Sequence, residues 1–202
     1  MDKIKFDKIL IYKKYLNTIQ KHLDNCFEDQ KEYICCSKGC ALCCKKGVYP
    51  CSEIEFQYLV LGLINLEPAI IETIMQKISE LKEAAKNNSE GKFIHQCPFL
   101  NQQDECYLYE YRPIICRTFG LLHRVGENSV TIPFCSEEGL NYSKVYDGKQ
   151  EKIIEENIYK YGYKKAPHVY NISLKEIVDD KIFTEGEHLF GETKALLDWF
   201  ED

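Results

Sequence analysis

The sequence predicts a mainly α protein: an irregular, metal-organised cysteine-cluster core with one short β-hairpin, packed by flanking amphipathic helices. Three observations predict it. Apolar residues recur at steps of three and four over several long segments, the stripe of a helix with one buried face. Eleven cysteines occur in 202 residues, most of them in two dense groups. The segments that carry those groups lack sustained periodicity and are broken by glycine and proline.

From Lys5 to Asp24 the residues Ile9, Tyr12, Leu16, Ile19 and Leu23 form the first stripe. Such a helix needs a partner surface, because a lone helix of this length is marginal in water. Residues 28–49 read as a loop with short helical turns. Ser52 and Glu55 then make a capping box for a helix reaching about Ile64. Pro68 opens a second helix carrying Ile71, Ile74, Ile78, Leu81 and Ala85, which ends in the polar run 86–91. These two helices separate the cysteine groups, so they predict a hairpin that folds the groups together. Pro113 opens a short helix over 114–119 that Gly120 ends. Ser129 to Ile132 reads as a strand pairing with Leu121 to Arg124 across Gly126, Glu127 and Asn128. Helices are expected over 149–161, over 173–182 (with Ser173 and Glu176 as a second capping box) and over 188–200. Trp199 and Phe200 are expected to pack on the first helix and complete the core. The whole reads as a single domain over 1–202, with a cysteine-cluster core at 33–140, an N-terminal helix at 1–32 and a C-terminal helical extension at 141–202.

Composition narrows the function. A hydrophobic fraction of 45% with 29% charged residues is that of a soluble globular chain. A net charge of −6 disfavours nucleic acid as a partner, since phosphate neutralisation needs a basic surface. No apolar run approaches the ~20 residues of a membrane span, and no export leader is evident, so no membrane is expected as a partner and the expected address is cytoplasmic. Thiols stay reduced there, and clustered cysteines usually hold metal rather than form disulfides. The odd total fits full disulfide pairing poorly.

The first group runs Cys35, Cys36, Cys40, Cys43, Cys44. Cys40 and Cys43 have the spacing with which two thiolates grip one ion from a tight turn. Cys36, Cys40 and Cys44 would share one face of a helical turn, and the adjacent Cys43 and Cys44 would serve different metals or leave one outside the ligand set. The second group is Cys97-Pro98-Phe99-Leu100, then Cys106, then Arg112-Pro113-Ile114-Ile115-Cys116-Arg117. Arg112 and Arg117 flank Cys116, while Lys38, Lys45 and Lys46 flank the first group; cations stabilise thiolates. His95 is more often an ordinary loop residue than a ligand. The alternating Tyr107, Tyr109 and Tyr111 read as packing beside Cys106.

Taken together, Cys36-x3-Cys40-x2-Cys43-Cys44, Cys97-Pro98-Phe99-Leu100 and Cys106-x2-Tyr109-x2-Arg112-Pro113-x2-Cys116-Arg117 resemble the YkgJ-type CxxCxxCC cysteine-cluster family over roughly residues 33–140. That family is described as zinc- or iron-chelating, and flagellin lysine N-methylases carry a similar cluster. Phe119-Gly120-Leu121 and Phe134-Cys135 resemble its longer members, which implies Cys135 as an eighth ligand. The implied metal ligands are Cys36, Cys40, Cys43, Cys44, Cys97, Cys106, Cys116 and Cys135. The family name writes two residues between its first cysteines where this chain has three, so Cys35 and Cys36 both stand for the first position. Cys26, Cys35 and Cys51 otherwise read as small packed hydrophobes.

An all-sulfur donor set fits an iron–sulfur cluster or zinc. The first expectation is an iron–sulfur or iron protein with a redox or accessory role, partnered by its metal and by another protein. The alternative is a zinc-organised interaction module. A second alternative, an enzyme related to the lysine methylases, lacks a glycine-rich methyl-donor signature.

Overall fold

The computed structural model describes residues 3–37, 39–89, 91–125, 129–170 and 190–200. Among them the chain is mainly helical, with six α-helices: α1 (Lys3–Asp29), α2 (Leu42–Lys45), α3 (Glu53–Leu63), α4 (Pro68–Lys86), α5 (Ile114–Thr118) and α6 (Glu155–Lys160). Six short strands pair antiparallel in twos: β1 (Pro50–Ser52) with β6 (Thr193–Ala195), β2 (His123–Val125) with β3 (Ser129–Thr131), and β4 (Tyr146–Asp147) with β5 (Lys152–Ile153). None of the described helices is long and apolar enough to cross a membrane.

The chain divides into two compact units. The first gathers Met1–Tyr15, Lys38–Arg117 and Thr184–Asp202, and the second Leu16–Ser37 and Thr118–Phe183. All five residues of the predicted α1 stripe are buried, and the helix runs five residues past Asp24, to Asp29.

In the first unit the capping box forms as predicted. Glu55 accepts hydrogen bonds from the backbone N–H of Ser52 (2.7 Å) and from its hydroxyl (2.8 Å). Pro68 occupies the first turn of α4. Leu59, Leu63, Ile74 and Ile78 of these helices build one core with Tyr49, Cys51, Phe99, Leu108, Leu196 and Leu197. The segment expected as a helix over 188–200 is different where described. Thr193–Ala195 is a strand, because its backbone pairs with Pro50–Ser52 in the register Pro50↔Ala195, and only Leu196–Trp199 turns, as a 3-10 helix. Trp199 stacks on Phe56 of α3 at 5.4 Å, Phe200 meets the same ring edge-on, and the Trp199 indole donates to the carbonyl of Cys51 at 3.0 Å. These aromatics therefore complete the core on α3.

Gly62 shows how tight that packing is. A Cβ there would lie 2.5 Å from the Tyr111 ring. Alanine would add about 1 kcal/mol of helix propensity, but overpacking costs about 1–3 kcal/mol and this overlap is deeper than ordinary van der Waals contact. Gly62→Ala is therefore expected to lower stability in a urea melt, against its helix propensity.

The second unit has its own core of Tyr33, Leu122, Tyr142, Val145 and Ile158. The β2–β3 pair matches the predicted hairpin, shifted by two residues at its first strand; residues 126–128 lie outside the described residues. The helix expected over 149–161 begins only at Glu155, because Lys152 and Ile153 pair with Tyr146 and Asp147. The helix expected over 173–182 lies outside the described residues.

Candidate metal centre

The elements of the first unit bring Cys44 and Cys97, one from each cysteine group, together. The N–H of Cys97 donates to the carbonyl of Cys44 at 2.7 Å. Gly47 and His95 exchange a pair of backbone hydrogen bonds at 3.1 Å three residues further along one strand and two back along the other. The Tyr49 hydroxyl clasps the same junction, 2.8 Å from the Cys44 carbonyl and 3.0 Å from that of His95. Gly47 makes room for it: a Cβ there would stand 2.7 Å from the Tyr49 ring.

Cys43 and Cys44 sit on α2, the single turn closed when Ala41 accepts from the N–H of Cys44 (2.9 Å) and of Lys45 (3.0 Å). The expected shared face of Cys36, Cys40 and Cys44 is absent, because helix starts only at Leu42 after Gly39, which has φ +89°. The Cys43 and Cys44 sulfurs are 3.9 Å apart. Two sulfurs on one tetrahedral ion with bonds of about 2.3 Å would be about 3.8 Å apart. The adjacent pair thus has the separation of a two-sulfur grip on one atom.

Cys97 and Cys106 lie at the two ends of a loop closed by Asn101, whose side chain accepts from the N–H of Gln103 and of Glu105. Each sulfur receives a backbone N–H from two residues on: Phe99 to Cys97, and Leu108 to Cys106. Such bonds favour a sulfur that carries charge. Cys116 rides on α5, whose first N–H, from Ile114, donates to Glu55 at 2.8 Å. Glu55 therefore caps α3 with one oxygen and anchors the start of α5 with the other. Replacing it by alanine removes both; a cap is worth about 1 kcal/mol and a hydrogen bond to a charged group about 1.5–3 kcal/mol. Glu55→Ala is expected to lose about 3 kcal/mol in chemical denaturation and to weaken metal uptake at Cys116, whereas Ser52→Ala keeps the Ile114 anchor and the uptake.

Cys44, Cys97, Cys106 and Cys116 feel one another electrostatically. Burial, and then the charge of Cys116, pushes the Cys97 thiol well up; burial raises Cys106 to about 11 and drives Cys116 upward too. Cys44 goes the other way, to about 7, held by its contact with the Cys43 sulfur against burial and helped by Arg112. Arg112 also favours the charged forms of Cys106 and Cys116. Its guanidinium lies 3.4 Å over the Tyr109 ring. Arg117, the other predicted flanking cation, turns away, donating to the carbonyls of Arg112 (2.9 Å) and Glu110 (2.5 Å) and facing Tyr12 and Tyr58. Lys45 pairs with Asp104 at 2.7 Å.

Cys40 is exposed. Cys36 and Cys135 belong to the second unit, Cys36 exposed and Cys135 buried. Cys26 and Cys51 are buried as expected of packed thiols, but Cys35 is exposed. His95 packs between Phe93 and Tyr49, with Nδ1 2.8 Å from the Gln96 carbonyl. None of the eleven cysteines, all among the described residues, is in a disulfide. Among those residues no three His, Cys, Asp or Glu side chains stand close enough, as placed, to hold one ion. Cys44, Cys97, Cys106 and Cys116 are within electrostatic reach of one another rather than at ligating separation.

The chemistry of the donor set still discriminates. Sulfurs that receive N–H bonds, lie largely buried and have a guanidinium nearby suit thiophilic metals such as zinc and iron, and not calcium or magnesium, which take oxygen. The class defined here is a cysteine-thiolate metal-binding domain. The CxxCxxCC family model, described as "Putative zinc- or iron-chelating domain", matches residues 35–136, just over half of the chain, and the chain belongs to that family. Comparison with curated proteins and with solved structures gives no match.

Proposed function

We propose that the chain holds thiolate-ligated iron, of the iron–sulfur kind, with Cys40, Cys43, Cys44, Cys97, Cys106 and Cys116 as ligands in the first unit and Cys36 and Cys135 as ligands in the second. Its role is electron transfer or support of a partner protein in the cytoplasm, where these thiols stay reduced. The carrying observation is the Cys97-to-Cys44 backbone hydrogen bond, which joins two cysteine groups more than fifty residues apart. The 3.9 Å Cys43–Cys44 separation supports two sulfurs on a single metal atom, and the N–H bonds to Cys97 and Cys106 are of the kind that tune iron–sulfur potentials.

The same separation suits a tetrahedral zinc, so a zinc-organised interaction module is the second reading. Purification without oxygen, followed by iron, sulfide and zinc analysis and an absorption spectrum of the same sample, separates them. Iron with sulfide and a visible charge-transfer band is the expected result. A colourless protein with stoichiometric zinc replaces the first reading by the second, and a protein that takes up neither metal overturns both.

A further inference from the structure

We infer that Asn141 is a positioning residue for a metal-ligating thiolate at Cys36, and that Cys36 rather than its neighbour Cys35 is the ligand of that adjacent pair. The inference rests on the metal-binding reading above and names residues within the second unit. Asn141 lies beyond the family-matched segment, which ends at residue 136.

The side chain of Asn141 is 1% exposed. Its Oδ1 accepts the backbone N–H of Cys35 at 2.7 Å. That contact fixes the orientation of the amide, since only the oxygen can accept. The Nδ2 group must then face the other way, and it donates to the Cys36 sulfur at 3.2 Å and to the Gly120 carbonyl at 3.4 Å. Two protons meet two acceptors, so the amide is fully used. The Asn141 carbonyl is itself tied down by the Ser136 hydroxyl.

The same amide thus grips the backbone of Cys35 and the sulfur of Cys36. A buried N–H directed at sulfur favours the sulfur that carries charge, because charge-assisted hydrogen bonds are about twice as strong as neutral ones. Gly120 completes the seat: with φ +109°, a Cβ there would lie 3.1 Å from the Cys36 sulfur. Among the described residues nothing comparable is directed at the Cys35 sulfur; its N–H is the group Asn141 holds. Cys36 and the buried Cys135 are both within electrostatic reach of the Tyr142 hydroxyl. The ligand class is a thiophilic divalent cation, zinc or iron(II).

The test uses the full chain, titrated with zinc and with cobalt(II) as a coloured probe. Asn141→Asp keeps an oxygen for the Cys35 N–H but replaces the donor facing Cys36 by a second oxygen. It is expected to weaken cobalt(II) binding about 10–100-fold, as loss of a hydrogen-bonding partner of a ligand does, and to change the sulfur-to-cobalt absorption band as Cys36→Ser does. The double variant should be no weaker than Cys36→Ser alone, and Cys35→Ser should match the wild type. Wild-type affinity and band in Asn141→Asp, or a lower melting temperature with an unchanged band, would reduce Asn141 to a structural residue and overturn the inference. Loss of binding in Cys35→Ser with retention in Cys36→Ser would overturn it too, and that comparison at two exposed positions does not depend on the Asn141 variant folding. A wild-type chain that takes up neither cation instead refutes the metal-binding reading, and this inference with it.

Discussion

Cys116→Ser is expected to lose the bound metal while Cys51→Ala keeps it, although both thiols belong to the first unit. Cys116 is within electrostatic reach of Cys44 and Cys106. Cys51, 1% exposed, packs in the core, and burial together with the charge of Glu55 raises it to about 12. Thiolate sites contribute about 10–16 kcal/mol of apparent binding energy, or about 3 kcal/mol for each of four sulfurs. Serine offers a harder, less acidic donor and does not recover that. The variant should retain less than a tenth of the wild-type metal after dialysis and melt about 6–12 °C lower, as a loss of about 3 kcal/mol predicts for a chain of this size. Cys51→Ala removes one buried sulfur and should lower stability by about 1 kcal/mol, with full metal content. Metal analysis and a thermal melt on both proteins check this. Equal metal content in the two would remove Cys116 from the ligand set.

The features that were legible in the sequence are those with local causes. The α1 stripe, the Ser52–Glu55 capping box, Pro68 at the first turn of α4, and Pro113 with Gly120 around α5 each carry their signal within a few residues. The meeting of Cys44 with Cys97 was legible one step removed, because α3 and α4 had to fold back for the groups to meet. What could not be read depends on partners distant in the chain. Thr193–Ala195 is a strand only because Pro50–Ser52 lies beside it, and nothing in its own pattern asks for one. Arg112 and Arg117 look equivalent on either side of Cys116, yet Arg117 donates to the carbonyls of Arg112 and Glu110, leaving Arg112 to face the thiols. Asn141 has no signal at all: its role exists only once residues 35, 36 and 120 surround it.

Loading of Cys44, Cys97, Cys106 and Cys116 with metal should release about three protons at pH 9, many more than four exposed cysteines would. Thiolates bind metal, so every ligand still protonated in the metal-free chain gives up a proton on loading. Four ordinary thiols with a pKa of about 8.5 are mostly ionised at pH 9 and would release only about one proton in total. Here Cys97, Cys106 and Cys116 are held protonated by burial, Cys106 up to about 11 and the other two also raised, while Cys44, near 7, is already ionised. The direction follows: affinity rises with pH, steeply, by about three powers of ten per pH unit from pH 8 to 10, and steepens further below pH 7 as Cys44 too must give up its proton. Acidification through neutrality should therefore strip the metal. Zinc added to metal-free protein in weakly buffered solution, with a pH indicator reading the protons, measures the number directly. A value near one at pH 9 would mean that the thiols are solvent-exposed in the metal-free chain, and that burial does not set their affinity.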